Sequence, residues 1–223
     1  MNDLIELEIQ DRINQSKALV GHISTLELND QDSELIKIQK GYLFVSLYSS
    51  IEYTLTKVVS AYLEVLNQEN LKPLEYKKYL LCAVMDSNFN ALIGSGKRKM
   101  WLRKKEFFDA LFSSEAANID DSVFPTDGVN ISAKQIEDIW SIFHLDGEPV
   151  PQGINSWALN EIKEHRNAIA HGREKAADVG GRYTTAALNQ RVADVEALCF
   201  HIVQSFKDSS GTKAYRHSGS AQH

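Results

Sequence analysis

Apolar side chains recur at three- and four-residue steps over most of this 223-residue chain, which is the spacing of amphipathic helices. One such pattern runs from Leu4 to Ile23. A longer one, from Glu34 to Gln68, contains no proline and a single glycine, and it predicts a helix of roughly 50 Å. Alternation of the kind that marks strands is scarce. The pattern therefore predicts an all-α fold.

The other predicted elements are shorter. We expect helices over 74–85, 99–112, 132–144, 157–171 and from Thr184 or Thr185 onward, with loops over 88–96, 120–130 and 179–181. Residues 209–223 are rich in serine and glycine, which predicts a disordered tail. The expected architecture is one domain over 1–208, with its core within 36–206. Within it we expect an up-and-down bundle of long antiparallel helices with additional short helices.

Composition places the chain among globular proteins, with 43% hydrophobic and 24% charged residues. No apolar run approaches the ~20 residues that a membrane span requires, and the acidic start at Met1–Leu4 lacks the character of a secretory signal. Cys82 and Cys199 both lie in apolar surroundings, which predicts buried thiols in a reducing compartment. We therefore expect a cytoplasmic protein that has no membrane association.

Charge is unevenly distributed along the chain, although the total is −6. Residues 1–70 are strongly acidic, whereas residues 71–113 carry nine basic and four acidic side chains, a net charge of +5. Six of these cations surround Trp101: Lys97, Arg98, Lys99, Arg103, Lys104 and Lys105. Local patches govern contact with polyanions, so the acidic total does not exclude RNA. The alternative interpretation of these cations is a solvated helix face.

Two familiar site patterns are incomplete. Gly94–Lys97 resembles part of a phosphate-binding loop, but Ala91 and Arg98 occupy positions where that loop needs a glycine and a hydroxyl. It therefore indicates a turn. His165 and His171 are six residues apart on a predicted helix, about 120° around its axis, which is too far for one ion. We expect neither a metal nor another cofactor.

The candidate chemistry lies near the end of the helix predicted over 157–171. Arg166 lies on an otherwise apolar stripe, and Asn167 and His171 are four residues apart, so they are neighbours on the adjacent face. A planar cation, an amide and an imidazole within about two turns suit a phosphodiester, whose cleavage needs phosphate contacts and a group that titrates near neutrality. The alternative is a helix end at which Arg and His are favoured by the dipole.

Glu52 lies within the most apolar helix, one residue from Ile51 and three from Leu55. An ionised carboxylate near a core costs several kcal/mol unless it is paired. We therefore hypothesise that Glu52 pairs with Arg166 and orients its guanidinium. The alternative is that Glu52 faces water between helices.

The segment Arg-Asn-Ala-Ile-Ala-His at residues 166–171 resembles the Arg-x4-His signature of the HEPN superfamily (higher eukaryotes and prokaryotes nucleotide-binding domains). The polar residue after the arginine and the Ala-His-Gly ending also resemble the RNase branches. The long helix over 34–68 and the final helix lie where such domains place their flanking helices. The layout is similar to that of stand-alone bacterial HEPN-like nucleases.

This resemblance implies a metal-independent endoribonuclease that cleaves single-stranded RNA by attack of the 2′-hydroxyl, with the site composed from a homodimer. His171 would handle protons, Arg166 would hold the scissile phosphate, and Asn167 would position the phosphate or His171. It also implies a toxin or defence effector with an antitoxin or another partner protein. HEPN toxins silenced by nucleotidylation carry a tyrosine two residues after the histidine. Here Arg173 stands there, so that control is not expected; Arg173 could instead add to the phosphate surface or be a solvated charge.

Two other functions remain open from the sequence. One is a catalytically silent HEPN domain that binds RNA or nucleotides, or that dimerises. The other is a purely structural helical adaptor. The set of Arg166, Asn167 and His171 favours the nuclease, because a silent scaffold has no physical need for it.

Overall fold

The computed structural model describes residues 3–28, 33–120, 131–154 and 156–217, and it confirms the predicted all-α fold. In these residues a single isolated bridge, between Tyr76 and Arg216, is the only β-type pairing. The helices are α1 (Asp3–Glu27), α2 (Glu34–Gln68), α3 (Leu81–Val84), α4 (Asp86–Ile93), α5 (Met100–Leu111), α6 (Ala133–Phe143), α7 (Ser156–Ala170), α8 (Ala176–Gly180) and α9 (Thr185–Thr212).

Helix α2 forms the centre of the fold, with buried apolar residues along its whole length. Helix α1 runs antiparallel to it, since Glu27 forms an ion pair with Lys40 near the start of α2 while Arg12 lies over the ring of Tyr53 further along. Helix α9 packs on both, and its Ser209 hydroxyl lies 2.7 Å from Tyr62 Oη of α2. The long helices thus bury the apolar stripes predicted from their spacing, at roughly 1.5–3 kcal/mol for each fully buried aliphatic side chain.

Capping residues place the ends of the helices that surround the motif. Ser132 Oγ accepts a hydrogen bond from the Gln135 N–H at the start of α6, and Thr184 Oγ1 accepts one from the Ala187 N–H at the start of α9. Helix α7 ends at Ala170, and Gly172 just beyond it has a φ of +66° that lets the Arg173 N–H donate back to the Ala168 carbonyl at 2.8 Å. The predicted boundaries of these three helices are confirmed within about two residues.

The middle of the chain differs from the prediction. The helix expected over 74–85 is two 3₁₀ turns, Pro73–Glu75 and Lys78–Leu80, followed by the single turn of α3. Tertiary hydrogen bonds replace the helical ones, because Tyr76 is buried and its hydroxyl donates to the Leu66 carbonyl at 3.1 Å. The expected loop at 88–96 contains most of α4, where Phe89 packs against Phe107 of α5 at 5.2 Å between ring centroids.

The loop predicted at 179–181 is also wrong, because Val179 and Gly180 belong to α8. A Cβ on Gly180 would lie 1.9 Å from the Lys37 carbonyl oxygen, and one on Gly41 would lie 2.1 Å from the Ala176 carbonyl oxygen. The two glycines therefore let α8 pack directly on the backbone of α2. This contact holds the segment that follows the motif helix.

The disordered tail predicted from Ser209 is wrong for residues 209–217. Helix α9 continues to Thr212, and Tyr215 beyond it is fully buried. The Tyr215 carbonyl accepts a hydrogen bond from the Lys77 N–H, and the His217 N–H donates to the Glu75 carbonyl, both at 2.8 Å. The burial of Tyr215 and these two backbone hydrogen bonds hold the segment in place, although its polar composition predicts disorder. Residues 218–223 lie outside the described residues.

Only one of the two predicted buried thiols is buried. Cys199 is inaccessible, and burial raises the pKa of its thiol to about 12. Cys82 is exposed, because the single turn of α3 turns its neighbours Ala83 and Val84 toward the core instead. The loop predicted at 120–130 lies, apart from its first residue, outside the described residues. Among the helices that are described, none is both long and apolar enough to span a bilayer.

Candidate functional site

The guanidinium of Arg166 on α7 is half-buried and lies over an aromatic ring. Its Cζ is 4.5 Å from the ring centroid of Tyr48 on α2, and its Nη1 donates a 2.8 Å hydrogen bond to Asn167 Oδ1. A cation at this distance over a ring is attracted by the ring's quadrupole. The motif helix packs on α2, and Tyr48 of α2 thus supplies Arg166 with an aromatic face.

Nothing in the sequence distinguishes Tyr48 from the other aromatic residues of the same apolar helix. It is 2% exposed, and its hydroxyl accepts a 2.7 Å hydrogen bond from the Ile131 N–H just before α6. Burial is the main cause that raises the pKa of Tyr48, and Glu52 raises it further, while the Ile131 bond and Arg166 act in the opposite direction. Its ring is therefore a fixed, neutral support for the guanidinium.

The direct pair predicted between Glu52 and Arg166 is not among the salt bridges of the described residues. Glu52 is partly exposed on α2, one turn after Tyr48. Its charge and that of Arg166 both act on the Tyr48 hydroxyl. Glu52 and Arg166 therefore both lie near the Tyr48 hydroxyl. A supporting role for Glu52 stays a prediction.

The other two motif residues differ in exposure. Asn167 is 5% exposed, and its amide oxygen accepts the bond from Arg166. His171 is exposed at the end of α7, where its backbone N–H donates to the Asn167 carbonyl at 3.0 Å. Arg166 and His171 are separated by ~7.5 Å of rise along the helix. The structure thus leaves the imidazole of His171 exposed at the surface, whereas the guanidinium of Arg166 is partly buried against Tyr48 and Asn167.

Arg173 is exposed directly beyond Gly172. The role that the structure gives it is carried by its backbone, whose N–H closes the end of α7. Residues 170–173 form one continuous exposed segment around His171. A contribution of the Arg173 side chain to phosphate binding stays a prediction.

A second polar cluster, which the sequence does not predict, lies on another face of α7. His165 Nε2 and Tyr183 Oη are 2.6 Å apart, Tyr183 donates to Glu161 at 2.7 Å, and Arg191 donates to the same carboxylate at 2.6 Å. The Tyr183 hydroxyl has a single proton, which it donates to Glu161. Its oxygen must therefore accept the other hydrogen bond, so His165 carries a proton on Nε2 and donates it to Tyr183. Burial is the main cause that lowers the pKa of His165, which keeps the ring neutral.

This cluster ties α7 to the segment between α8 and α9, and to α9 itself. Phe44 of α2 packs edge-on against the His165 ring, with 4.9 Å between the centroids. His165 directly precedes Arg166, so the contacts of the cluster fix the rotation of the motif helix about its own axis. The four-residue spacing of Glu161 and His165 is visible in the sequence, whereas nothing local marks Tyr183.

The basic segment is not packed beside the motif within one chain. The turn predicted at Gly94–Lys97 is confirmed, and it lines a surface groove together with Arg98, Lys99 and Arg103. Helix α5 packs on α4 and on the turn Pro73–Glu75, which follows the end of α2. Arg166 contacts α2 at Tyr48, which lies ~30 Å before the end of α2 along the helix axis. The predicted cations therefore form a separate surface.

A family model described as RiboL-PSP-HEPN matches residues 8–208. The match covers almost the whole described chain and includes α2, α7 and most of α9. Comparison with curated proteins and with solved structures gave no match.

Proposed function

Since the chain belongs to the RiboL-PSP-HEPN family and is thus a HEPN-type domain, we propose that it is an endoribonuclease that cleaves single-stranded RNA at the Arg166–His171 motif. Membership of a HEPN family points to a nuclease or to another RNA-related function. The observation that carries the finer proposal is the Arg166 guanidinium, held by the Tyr48 ring and by Asn167, on the same helix end as the exposed His171. Cleavage of a phosphodiester needs both groups, the guanidinium to bind the phosphate and the imidazole to transfer protons.

The proposed reaction uses only groups of the protein and the RNA. His171 takes the proton of the 2′-hydroxyl, the 2′-oxygen forms a bond to phosphorus, and the bond from phosphorus to the 5′-oxygen breaks. The protonated His171 of a second copy donates a proton to that leaving oxygen, which yields a 2′,3′-cyclic phosphate and a 5′-hydroxyl. Proton transfer of this kind contributes typically ~10²–10⁴-fold. Arg166 stabilises the charge that develops on the phosphate, which adds roughly 10²–10³-fold.

We propose that two copies of the motif helix form one cleft in a homodimer. A lone exposed imidazole at the end of α7 stands in water, which weakens its electrostatic interactions with a substrate. The exposed segment 170–173 gives a second copy a surface on which to close this site. Such pairing would bring two histidines together, one to accept a proton and one to donate a proton.

The test is incubation of the purified protein with single-stranded RNA in excess chelator, followed by analysis of the product ends. We expect cleavage with cyclic phosphate ends, abolished by His171→Ala and lowered at least ~100-fold by Arg166→Ala. His22→Ala, which changes an exposed histidine on α1, is the matched control and should cleave normally. Cleavage that needs a metal, or that survives His171→Ala, contradicts the proposed mechanism.

The alternative is a catalytically silent HEPN domain that binds RNA or nucleotides, or that serves for dimerisation. One observation favours it: the Asn167 amide is buried and its oxygen is engaged by Arg166, as in a structural role. Absence of cleavage at any protein concentration, together with retained RNA binding, would identify this alternative.

A toxin or defence effector of the cytoplasm, restrained by an antitoxin or another partner protein, is the biological role that we propose for the nuclease. Uncontrolled cleavage of cellular RNA would arrest growth. Expression of the wild-type chain should therefore be toxic, and His171→Ala should relieve the toxicity. Equal toxicity of both proteins contradicts this role.

A further inference from the structure

The outer side of α5 carries three large aromatic rings that are open to solvent. Trp101 is 80% exposed, Phe112 is 66% exposed and Phe108 is 55% exposed. Spacings of seven and four residues place them within about 40° around the helix axis, so they form one stripe. Helix α5 packs against the core through the partly buried Phe107, Ala110 and Leu111, which leaves the stripe on the side that faces solvent. Exposed rings in one line mark an interaction surface.

Cations border this stripe. Lys97, Arg98 and Lys99 are exposed where the groove meets the start of α5, and no salt bridge within the described part of the chain involves them. Lys104 lies with its ammonium 4.9 Å from the ring centroid of Trp101. By contrast, Arg103 and Lys105 form ion pairs with acidic residues of the same helix. The charges that remain available are therefore those at the N-terminal end of the stripe.

Exposed rings with neighbouring cations fit single-stranded nucleic acid better than they fit a second copy of this surface. Bases stack on open aromatic rings whatever their sequence, while phosphates pair with the cations. Two identical surfaces facing each other across a two-fold axis would bring like charges together. The net charge of +5 over 71–113 complements the charge of RNA.

We propose that the hairpin of α4 and α5 is a second RNA-binding surface that holds single-stranded nucleotides flanking the cleaved bond. Bases stack on Trp101, Phe108 and Phe112, and phosphates pair with the cations of residues 97–99. This inference rests on the proposed function, since RNA is the substrate. Within one chain α5 packs beyond the end of α2, and that end lies ~30 Å from Tyr48 along the helix axis, a length that about nine nucleotides span at a stacked rise of ~3.4 Å.

The experiment separates binding from cleavage by using a probe that the proposed chemistry cannot cut. A fluorescent 20-nucleotide 2′-O-methyl RNA has no free 2′-hydroxyl, and its binding is followed by anisotropy at several salt concentrations. We expect Trp101→Ala with Phe108→Ala to weaken binding at least tenfold. The triple change of residues 97–99 to alanine should reduce the slope of log K against log salt by up to ~2.

Matched controls lie elsewhere on the surface. Tyr42→Ala removes a 54% exposed ring from α2, and Lys57→Ala removes an exposed cation from the same helix. Both should leave probe binding unchanged. Circular dichroism should show that all variants keep the helical content of the wild-type chain, because every changed side chain of the hairpin is exposed.

The outcomes separate this inference from the proposed function. Weaker binding by the hairpin variants supports the surface even if no variant cleaves RNA, in which case the nuclease proposal alone fails. Unchanged binding, in a protein whose cleavage still depends on His171, overturns the surface alone. A changed oligomeric state in Trp101→Ala with Phe108→Ala, without a change in probe binding, also overturns it and identifies a protein contact.

Discussion

The guanidinium of Arg166 lies 4.5 Å from the ring centroid of Tyr48, and the hydroxyl of that same ring accepts a hydrogen bond from the Ile131 N–H. The ring faces the motif helix α7, and the hydroxyl faces the start of α6. One buried side chain of α2 therefore positions the cation and joins three elements at the motif. The two functions of Tyr48 can be separated by substitution.

Tyr48→Phe keeps the ring under Arg166 but leaves the Ile131 N–H without its acceptor, at a cost of ~1–3 kcal/mol in stability. We expect cleavage per folded molecule to stay close to that of the wild type. Tyr48→Leu removes the ring, and loss of the cation–π contact should lower kcat/KM by ~3–30-fold. Urea unfolding measures the first effect, and cleavage of single-stranded RNA measures the second.

Tyr62→Leu is the matched control, because Tyr62 is equally buried in α2 and bonded through its hydroxyl to Ser209, far from the motif. It should destabilise the protein without changing kcat/KM of the folded fraction. An equal loss of cleavage in Tyr48→Phe and Tyr48→Leu would show that the hydroxyl, and not the ring, supports Arg166.

Sequence periodicity predicted the long helices well, because each buries a continuous apolar stripe. Helices α2 and α9 begin where the spacing and the capping residues indicated, at Glu34 and after Thr184. The motif helix α7 ends at Ala170, shortly before Gly172, whose positive φ favours a glycine. These features depend on local chemistry, which the sequence displays directly.

The failures occurred where distant contacts decide the structure. Tyr215 turns a polar tail into a packed segment, and Gly180 lets an expected loop pack as a helix on α2. The ring of Tyr48 under Arg166 could not be predicted for the same reason: the sequence suggested the carboxylate of Glu52, whose supporting role stays a prediction, and gave no sign of the ring. A contact between α2 and α7 has no signature in either segment alone.

The contact between α8 and α2 is tight enough to forbid a side chain. A Cβ on Gly41 would lie 2.1 Å from the Ala176 carbonyl oxygen, which belongs to the backbone and cannot rotate away. We expect Gly41→Ala to lower the free energy of unfolding by ~1–3 kcal/mol or more, since the helices must separate. Urea unfolding measures the change.

Gly21→Ala on α1 is the control, because a Cβ there meets nothing within 4 Å. It should stabilise the protein by ~0.5–1 kcal/mol through lower backbone entropy of the unfolded chain. If both variants gain stability, α8 does not pack on α2 as described.

His165 makes stability depend on pH near neutrality. Burial lowers the pKa of this ring below its usual value of 6.5, so the unfolded chain binds a proton more readily than the folded one. The stabilisation is therefore present above pH 6.5 and is lost as pH falls toward the folded pKa. In His165→Gln the decline of the unfolding free energy between pH 7 and 5 should be shallower than in the wild type.

Tyr183→Phe tests the hydrogen-bonded partner of the same ring. It removes the hydroxyl between His165 and Glu161, and we expect a loss of ~1–3 kcal/mol at pH 7. His22→Gln on the exposed side of α1 should leave the unfolding free energy unchanged at pH 7. An unchanged pH profile in His165→Gln contradicts the role assigned to burial.

The C-terminal segment makes stability depend on pH in the acidic range. Glu69, at the end of α2, forms an ion pair with Arg216 and another with Lys213 at 3.0 Å. These contacts, Arg216 first, lower the pKa of Glu69 from 4.5 to about 2. Because the folded pKa lies below the unfolded one, the stabilisation is complete above pH 4.5 and is lost as pH falls toward 2.

Glu69→Gln should therefore be less stable than the wild type at pH 7, and the difference should shrink between pH 4.5 and 2. Thermal unfolding at pH 7, 4 and 2.5 measures it. Glu137→Gln is the control, because Glu137 forms an exposed pair with Lys134 at 3.7 Å, which contributes little. The control keeps Glu69, so its stability should follow that of the wild type at every pH. A difference between Glu69→Gln and the wild type that is constant from pH 7 to 2.5 would show that Glu69 acts through packing and not through its charge.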